Sequence, residues 1–508
     1  MKLNLQSPCF GISESVLQET GTMDFLLRMS PEFPILSCLT LPHLSPEQQK
    51  IHWQETNQII KNNSSTELNL AWNLLKSIPM PESAILGLES SQIGLSELTL
   101  LAQFVSGCLK LGEIKSLQFP LAPAREIQKA LQPYLNESNS RLVESPEIRE
   151  TMYKLNLLQD KKNAFIQNWE QLIQDTTSII MSWPLPREFP DAKTFPLDSD
   201  TAKSLSLIQT PRNNASGYML YFSTPENLQK LEQQQKDLTS EIQSLTETQM
   251  NQAMITLSPL TAKIRQFFHS VQTTAWKIHL AFKTKELKLC IPEVSNHLHI
   301  EEGRLTRLSE HSLNYQPLNF LAEHSVSLIF GSNMSGKTTV LKTILHLCLL
   351  ALHGLPTPCK KFILPRISSV RLHLKDSGSV EKGLSSFASE MQFFAKPDAD
   401  CLLLADEIFQ STEPVSGSKI ASLLLQDYRD HSYRLIATTH YSEPIGIPKI
   451  NHFSMSQDFE AQPLCDQNVS QLLLAQRQDT LKLAISLLPK DSSLVQKLNA
   501  LLNDGKKN

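Results

Sequence analysis

An α/β domain with a largely parallel sheet, preceded by a mostly α-helical region, is the fold this sequence predicts. Three observations predict it. Residues 45–175 and 223–290 carry apolar residues at three- and four-residue steps, the period of helices that bury one face. Residues 313–455 alternate short apolar runs with helix-length segments, the pattern of parallel strands joined by helical crossovers. Between one such run and the helix after it stands "GSNMSGKT", Gly331 to Thr338, in a chain with only 16 glycines among 508 residues. Where glycine is scarce, a glycine loop at that place has a task.

The elements follow in order. Residues 1–44 mix Ser, Pro and isolated hydrophobics without a period and read as a poorly defined N-terminal segment. The helical core spans 45–175; within it Leu95, Leu98, Leu101, Phe104 and Val105 share one helix face. Residues 176–222 are a proline-rich connector with short strands, among them the aromatic "GYMLYF". A long helix begins at Pro225, a residue suited to a first helical turn. Its Leu228, Leu231, Leu238, Ile242 and Leu245 fall near heptad a and d positions. An ordinary helix packed on its neighbours and an intermolecular coiled coil both fit that spacing. Helix continues to about 286 with a break near Pro259, completing a long-helix region over 223–290. Over 291–455 the strand candidates are "LHIEEGRL", "VSLIFG", "ISSVRLHL", "CLLLADE" and "YRLIATTH". The tail, 456–508, reads as helical.

Composition excludes several classes. A net charge of −4 gives no chain-wide basic excess of the kind that marks nucleic-acid proteins. The eight cysteines form no C-x-x-C pair, so they read as reduced, mostly buried thiols and not as a disulfide frame or a zinc site. No signal-like start and no apolar run of about 18 residues is found, so a cytoplasmic protein without membrane spans is expected.

The chemistry gathers around the glycine loop. Gly331 and Gly336 bracket four residues and Lys337-Thr338 follow, the G-x-x-x-x-G-K-[ST] spacing of a phosphate-binding loop. Val326–Phe330 supplies the strand before it and Thr339–Leu352 the helix after it. Such a loop aims backbone N–H groups and a helix N-terminus at a triphosphate, through Gly331, Ser332, Asn333, Met334, Ser335, Gly336, Lys337, Thr338 and Thr339. Lys337 would reach the β and γ phosphates of ATP and the Thr338 hydroxyl would ligate Mg²⁺. Further on, "CLLLADEI" describes a buried strand ending in two acids. Asp406 can hold the magnesium's water shell, and Glu407 can orient and deprotonate an attacking water. By itself "LLADE" is usually a strand end with solvated acids; beside a phosphate loop the functional reading is the better one. His440, at the end of "IATTH", would be a structural histidine in isolation and is a γ-phosphate sensor in this order and spacing.

These pieces together resemble the MutS family of ABC-type ATPases. "GSNMSGKT" is similar to its G-P-N-M-S/G-G-K-S/T loop, "SSFASEM" (385–391) to its S-T-F-x-x-E-M signature, and "DEIFQST" (406–412) to its D-E-I-x-x-G-T strand end. "ATTHY" resembles its A-T-H-Y, and "EEGRL" (301–305) its G-G-R-H-P without the final pair. "NYQPLN" (314–319) is similar to an aromatic-x-P-N-D segment that cradles adenine, which implies a stacking role for Tyr315. The likeness covers about 300–445, and a weaker one makes 223–290 the family's lever helices. It implies that Ser385, with Ser386, reaches across a dimer interface to a partner's γ-phosphate, in a homodimer or a heterodimer with a related subunit. Binding of ATP to the closed pair would then move the attached helices.

The departures bear on what is coupled to ATP. "ST" (Ser411-Thr412) stands where the family has G-T, and "EPVSG" follows. No mismatch-reading wedge is recognisable, the family's dimerising tail is not recognisable, and 176–216 is short for a DNA-gripping domain. The resemblance implies two candidate functions: an ATPase binding double-stranded or branched DNA in repair or recombination, the family's main role, and, as in shortened MutS-like proteins, a protein-remodelling ATPase that reactivates a cobalamin-dependent aminomutase. A nucleotide-gated scaffold without turnover fits less well, because Lys337, Asp406 and Glu407 are intact.

Overall fold

The computed structural model describes residues 2–3, 14–31, 33, 36, 40–41, 44–117, 119, 121–135, 144–177, 186–189, 207–211, 218–222, 225–305, 315–331, 335–374, 383–395, 398, 400–441, 444–455 and 461–463. Of the expected helical tail, 456–508, only Ala461–Pro463 is described, and it is a short strand drawn into the sheet by pairing, not helix; the rest lies outside the described residues, as do Ser332, Asn333 and Met334.

The first half is helical. Helices α1 (Glu14–Glu19) and α2 (Thr22–Arg28) stand in the segment whose sequence shows no period; six- and seven-residue helices are under two turns, too short to display one. Helices α3 (Pro46–Asn62) and α4 (Ser65–Ser77) each start on a serine capping box, Ser45 with Gln48 and Ser64 with Glu67, which satisfies two otherwise orphaned N–H groups apiece. Then come α5 (Glu82–Glu89), α6 (Leu95–Leu111), α7 (Leu121–Leu131) and α8 (Pro146–Thr177). The face expected on α6 is buried at Leu98, Leu101, Phe104 and Val105, while Leu95, in its first turn, is exposed. Strands β1 (Lys2–Leu3) and β2 (Thr40–Leu41) pair in parallel; β3 (Pro186–Phe189), β4 (Leu207–Pro211) and the aromatic β5 (Tyr218–Phe222) form an antiparallel sheet in the order β3-β5-β4. Pro225 is the N-cap of α9 (Glu226–Leu257), one place before the expected first-turn position. A 3₁₀ turn, Ser258–Leu260, carries Pro259 and separates α9 from α10 (Thr261–Glu286).

The second half alternates. It contains β6 (Glu293–Ser295), β7 (Leu298–Gly303), β8 (Leu318–Ala322), β9 (Val326–Phe330), α11 (Lys337–Leu352), β10 (Lys361–Pro365), β11 (Ser369–His373), α12 (Gly383–Phe394), β12 (Cys401–Ala405), α13 (Pro414–Asp430), β13 (Arg434–Thr439), β14 (Asn451–Met455) and β15 (Ala461–Pro463). Six strands form one sheet in the order β11-β12-β13-β9-β14-β15, parallel except for β15. A second sheet, β6-β10-β7-β8, is mixed.

The chain divides into two compact units. The helical unit comprises Pro79–Leu109 and Pro120–Phe268. In it α8 and α9 run antiparallel: Lys162 bonds Gln235 at 3.1 Å and Glu232 at 3.2 Å, and Ser145 N–H donates to Gln249 at 3.4 Å. Leu228 is buried there and Leu231, Leu238, Ile242 and Leu245 are half-buried, so the apolar stripe of α9 has a partner within its own chain.

The other unit comprises Met1–Ile78, Lys110–Phe119 and His269–Asn508 and holds the α/β domain. Leu402, Leu404 and Ile436 face a core built with α11 and the mixed sheet, while Leu403, Ala405, Leu435 and Ala437 face a second core with α13. Strands covered on both faces are apolar at almost every position, which is why "CLLLA" reads as an unbroken run and "VSLIF" as one interrupted only by Ser327, whose buried hydroxyl accepts from Asn451 Nδ2 at 3.0 Å. The N-terminal helices belong to this unit. Val16 and Leu17 enter the first core, and Thr22 Oγ1 meets Nδ1 of the fully buried His346 on α11 at 2.8 Å.

Candidate active site

In the six-stranded sheet β12, β13 and β9 are adjacent and parallel, so the segments leaving their C-terminal ends emerge at one edge. Those segments carry the glycine loop, Asp406-Glu407 and His440. Strand order thus joins residues that lie far apart in the chain.

The two glycines of the loop stand where a side chain would be strained or crowded. Gly336, the N-cap of α11, is left-handed at φ 92°, a region open to glycine and costly for most other residues. A Cβ on Gly331 would stand 2.8 Å from Ser335 Oγ and 2.9 Å from Met455 Cβ. Lys337, the first helical residue, is 4% exposed and donates to Gly331 O at 2.8 Å. Burial pushes its ammonium down to about 8, against the pull of Glu407 and Asp406.

A chain of hydrogen bonds crosses the strand ends. Thr338 Oγ1 donates to Asp406 Oδ2 at 2.6 Å. Thr438 Oγ1 donates to Asp406 Oδ1 at 2.7 Å and accepts from Glu407 N–H at 2.7 Å. Glu407 Oε1 lies 2.7 Å from His440 Nε2, and Lys337 Nζ approaches the same nitrogen at 3.4 Å. One ring nitrogen cannot donate to the carboxylate and accept from the ammonium together. The 2.7 Å contact wins, so Nε2 carries the proton and Lys337 stands by as a neighbouring charge. Glu407 itself is left-handed at φ 51° and Phe409 at φ 56°, a conformation costing a side-chain-bearing residue about 1–2 kcal/mol. Strain of this kind persists only where its surroundings enforce it.

The enforcing contacts are residues that motif reading leaves without a role. Glu390, on α12 and 4% exposed, accepts from Phe409 N–H at 2.6 Å. Burial holds its carboxyl above the ordinary range and that N–H bond opposes the shift. Tyr441 OH donates to Phe409 O at 2.8 Å. Gly417 lies so close that a Cβ there would meet Tyr441 OH at 2.6 Å and Phe409 O at 3.0 Å. The available signal for Thr438 is its polarity at the end of an apolar strand; nothing in the spacing ties Glu390 to Phe409.

Lys337, Thr338, Asp406, Glu407 and His440 are therefore brought together, and Thr339 continues the same helix. Tyr315 takes no part in that bond chain: its hydroxyl accepts from Leu305 N–H at 2.7 Å and donates to Gly303 O at 3.4 Å. Ser385 and Ser386 lie in α12.

The residues present fit a magnesium-bound nucleotide. Ser335 Oγ is buried without a hydrogen-bond partner among the described residues, beside two glycines that leave the backbone bare. Among the described residues no group of three His, Cys, Asp or Glu could hold a metal by itself. Mg²⁺ takes one or two protein oxygens and completes its shell with phosphate and water, and the Thr338 hydroxyl and Asp406 carboxylate, 2.6 Å apart, offer that number. No described helix is long and apolar enough to cross a membrane.

Residues 327–477 match the family model described as MutS domain V. A protein named Endonuclease MutS2 from Clostridium botulinum strain Langeland is 30% identical over 221 residues, covering 41% of this chain and 28% of that protein. Proteins of the same name from Brevibacillus brevis and Halalkalibacterium halodurans are 37% and 34% identical over 126 and 168 residues, 24% and 31% of this chain. These two matches cover 16% and 21% of the relatives, so the chain spans less than a third of any of the three.

Proposed function

This chain belongs to the MutS family, and from that premise we propose that it is an ATP hydrolase that dimerises around ATP and couples hydrolysis to DNA binding. One observation carries the hydrolase: the unbroken bond chain Thr338–Asp406–Thr438–Glu407–His440 at the mouth of the glycine loop. In this reading the loop N–H groups and Lys337 bind the phosphates, and Tyr315 stacks on adenine. Thr338 and Asp406 would hold Mg²⁺, which would supply charge neutralisation for the phosphates. Glu407 orients a water and takes its proton as the water oxygen bonds the γ-phosphorus and the bond to the β-phosphate oxygen breaks. His440 donates Nε2–H to Glu407 and so fixes which carboxylate oxygen remains for the water. Ser385, with Ser386, completes the site of a partner copy or a related subunit.

DNA is the preferred coupled ligand because the relatives are named endonucleases, enzymes that act on nucleic acid. Nuclease activity is not transferred to a chain spanning so little of their length. Nothing in the comparisons supports the aminomutase-reactivation alternative.

The test has two parts. Purified protein should turn over ATP with Mg²⁺, and Glu407→Gln should bind ATP yet lose about a hundredfold or more in kcat. Binding to duplex, mispaired and four-way DNA is then measured at several salt concentrations. Affinity that falls steeply with salt, together with stimulated hydrolysis, supports the coupled reading. Turnover without any DNA binding removes the DNA half and points to a protein client.

A further inference from the structure

Helix α12 and the loop carrying Glu407 are separate in sequence and joined in space by a buried hydrogen bond and the ring contacts around it. Glu390 Oε1 accepts from Phe409 N–H at 2.6 Å, two residues beyond Glu407. Phe409 is then gripped from other sides. Its ring centroid lies 6.2 Å from that of Phe387 and 5.6 Å from that of Phe394, both on α12, and its carbonyl receives the Tyr441 hydroxyl. Tyr441 follows His440, which holds Glu407 directly. The circuit therefore runs from α12 through Phe409 to the residues that position Glu407. A buried carboxylate resting on a backbone N–H is an expensive way to fill space; an apolar side chain would pack there at lower cost. What the carboxylate adds is a directional tie to a loop held at positive φ.

We propose that Glu390 is a positioning residue that couples the two nucleotide sites of the dimer, so that α12 meeting the partner's nucleotide sets Glu407 over the chain's own. The inference rests on the proposed ATP-closed dimer, in which each α12 serves the opposite site. Each chain then hydrolyses fastest when its partner is also loaded. The bond to Phe409 N–H is the directional part of that link, beside the ring contacts of Phe387 and Phe394, so its loss should weaken the transmission of an α12 displacement to Glu407.

The experiment measures steady-state hydrolysis against ATP concentration for the full chain and for Glu390→Ala, Glu390→Gln and Tyr441→Phe, with dimerisation followed by light scattering. Wild type is expected to respond sigmoidally, with a Hill coefficient above about 1.5. Glu390→Ala should lose about tenfold in kcat, keep its KM within about twofold and fall to a Hill coefficient near 1, while still dimerising on ATP. Glu390→Gln retains an acceptor oxygen and should stay within about threefold of wild type with cooperativity kept. Tyr441→Phe, which cuts the loop from its other anchor, should lower kcat and leave the response sigmoidal. If Glu390→Ala does not fold, Glu390→Asp, one methylene short of Phe409, should show the same loss of cooperativity. Glu390→Ala that hydrolyses cooperatively, or that loses rate while keeping its Hill coefficient, overturns the coupling and leaves the hydrolase standing. Wild type that neither hydrolyses nor dimerises overturns the hydrolase and the coupling with it.

Discussion

Thr438 and Asp406 are joined by a 2.7 Å hydrogen bond between neighbouring parallel strands, and the hydroxyl that donates it also accepts the N–H of Glu407. One threonine thereby sets the carboxylate facing Thr338 and the backbone of the residue proposed to activate water. The next residue, Thr439, accepts from Tyr441 N–H, so the strand end is tied on both sides of His440.

Thr438→Val keeps the shape and removes both bonds. It leaves Asp406 Oδ1 and Glu407 N–H without their partner in a buried place, at a cost of about 1–3 kcal/mol. Denaturant unfolding should show that loss, and kcat should fall about tenfold or more. Thr438→Ser should restore most of both. A valine variant with wild-type turnover would mean that the acids are positioned by something else.

Lys337 carries a second prediction. Burial lowers its ammonium to about 8, from an unfolded value of 10.5. Phosphates favour the charged form, so ATP binding should draw a proton from solvent. At pH 8 the uptake should be about half a proton, and at pH 6.5 close to none. Calorimetry in two buffers of different ionisation enthalpy reads this directly; equal apparent enthalpies at pH 8 would refute it. The sign for stability is the reverse of a salt bridge. A lowered lysine costs stability throughout the range below about 8, and the cost fades as pH rises towards 10.5. Lys337→Met should therefore abolish nucleotide binding while making the free protein more stable at pH 7, by up to about 3 kcal/mol.

Gly417 offers a test of the loop that is independent of any nucleotide. Alanine there puts a methyl 2.6 Å from Tyr441 OH and 3.0 Å from Phe409 O. The variant should be destabilised by about 1–3 kcal/mol through overpacking. The nearer obstacle is a side-chain oxygen, so Tyr441→Phe in the same chain should recover part of the loss, a coupling visible in a double-mutant cycle. Strict additivity of the two changes would exclude that contact as the cause.

How much of this was legible in the sequence follows from the range of each interaction. Strands β9, β12 and β13 are readable because burial on both faces demands mostly apolar runs, and the glycine loop because its two glycines stand at a fixed spacing before Lys337. The break at Pro259 and the long helices around it are readable from local chemistry alone. The tie between Glu390 and Phe409 is not, since it depends on how α12 lies against a loop nineteen residues away. The positive φ of Glu407 also leaves no trace, because glutamate has no preference for that region. Helices α1 and α2 escape for a third reason: they are too short for periodicity, and their partner is α11, more than three hundred residues on.

That last contact yields a prediction of pH dependence. His346 is fully buried on α11, the helix that begins with Lys337, and burial pushes its imidazole down to about 3. Its Nδ1 meets Thr22 Oγ1 at 2.8 Å, Thr22 meets Thr20 at 2.7 Å, and Thr20 donates to Leu17 O at 3.1 Å. A relay running from His346 Nδ1–H through both threonines to that carbonyl satisfies every bond with a neutral ring. Between pH 6.5 and about 3 the unfolded chain binds a proton that the folded chain refuses. Stability is therefore whole above 6.5 and falls as the pH drops through that window, by up to about 5 kcal/mol from this residue. Urea unfolding from pH 7 to pH 4 should show a loss approaching 1.4 kcal/mol per pH unit that His346→Asn removes, whatever other groups add to both curves. Thr22→Val should lower stability at pH 7 by about 1–3 kcal/mol, since it removes the hydroxyl that Nδ1 meets. Parallel pH profiles for wild type and His346→Asn would show that the N-terminal helices do not keep this histidine dry, and that their seat on the nucleotide-loop helix is looser than the relay requires.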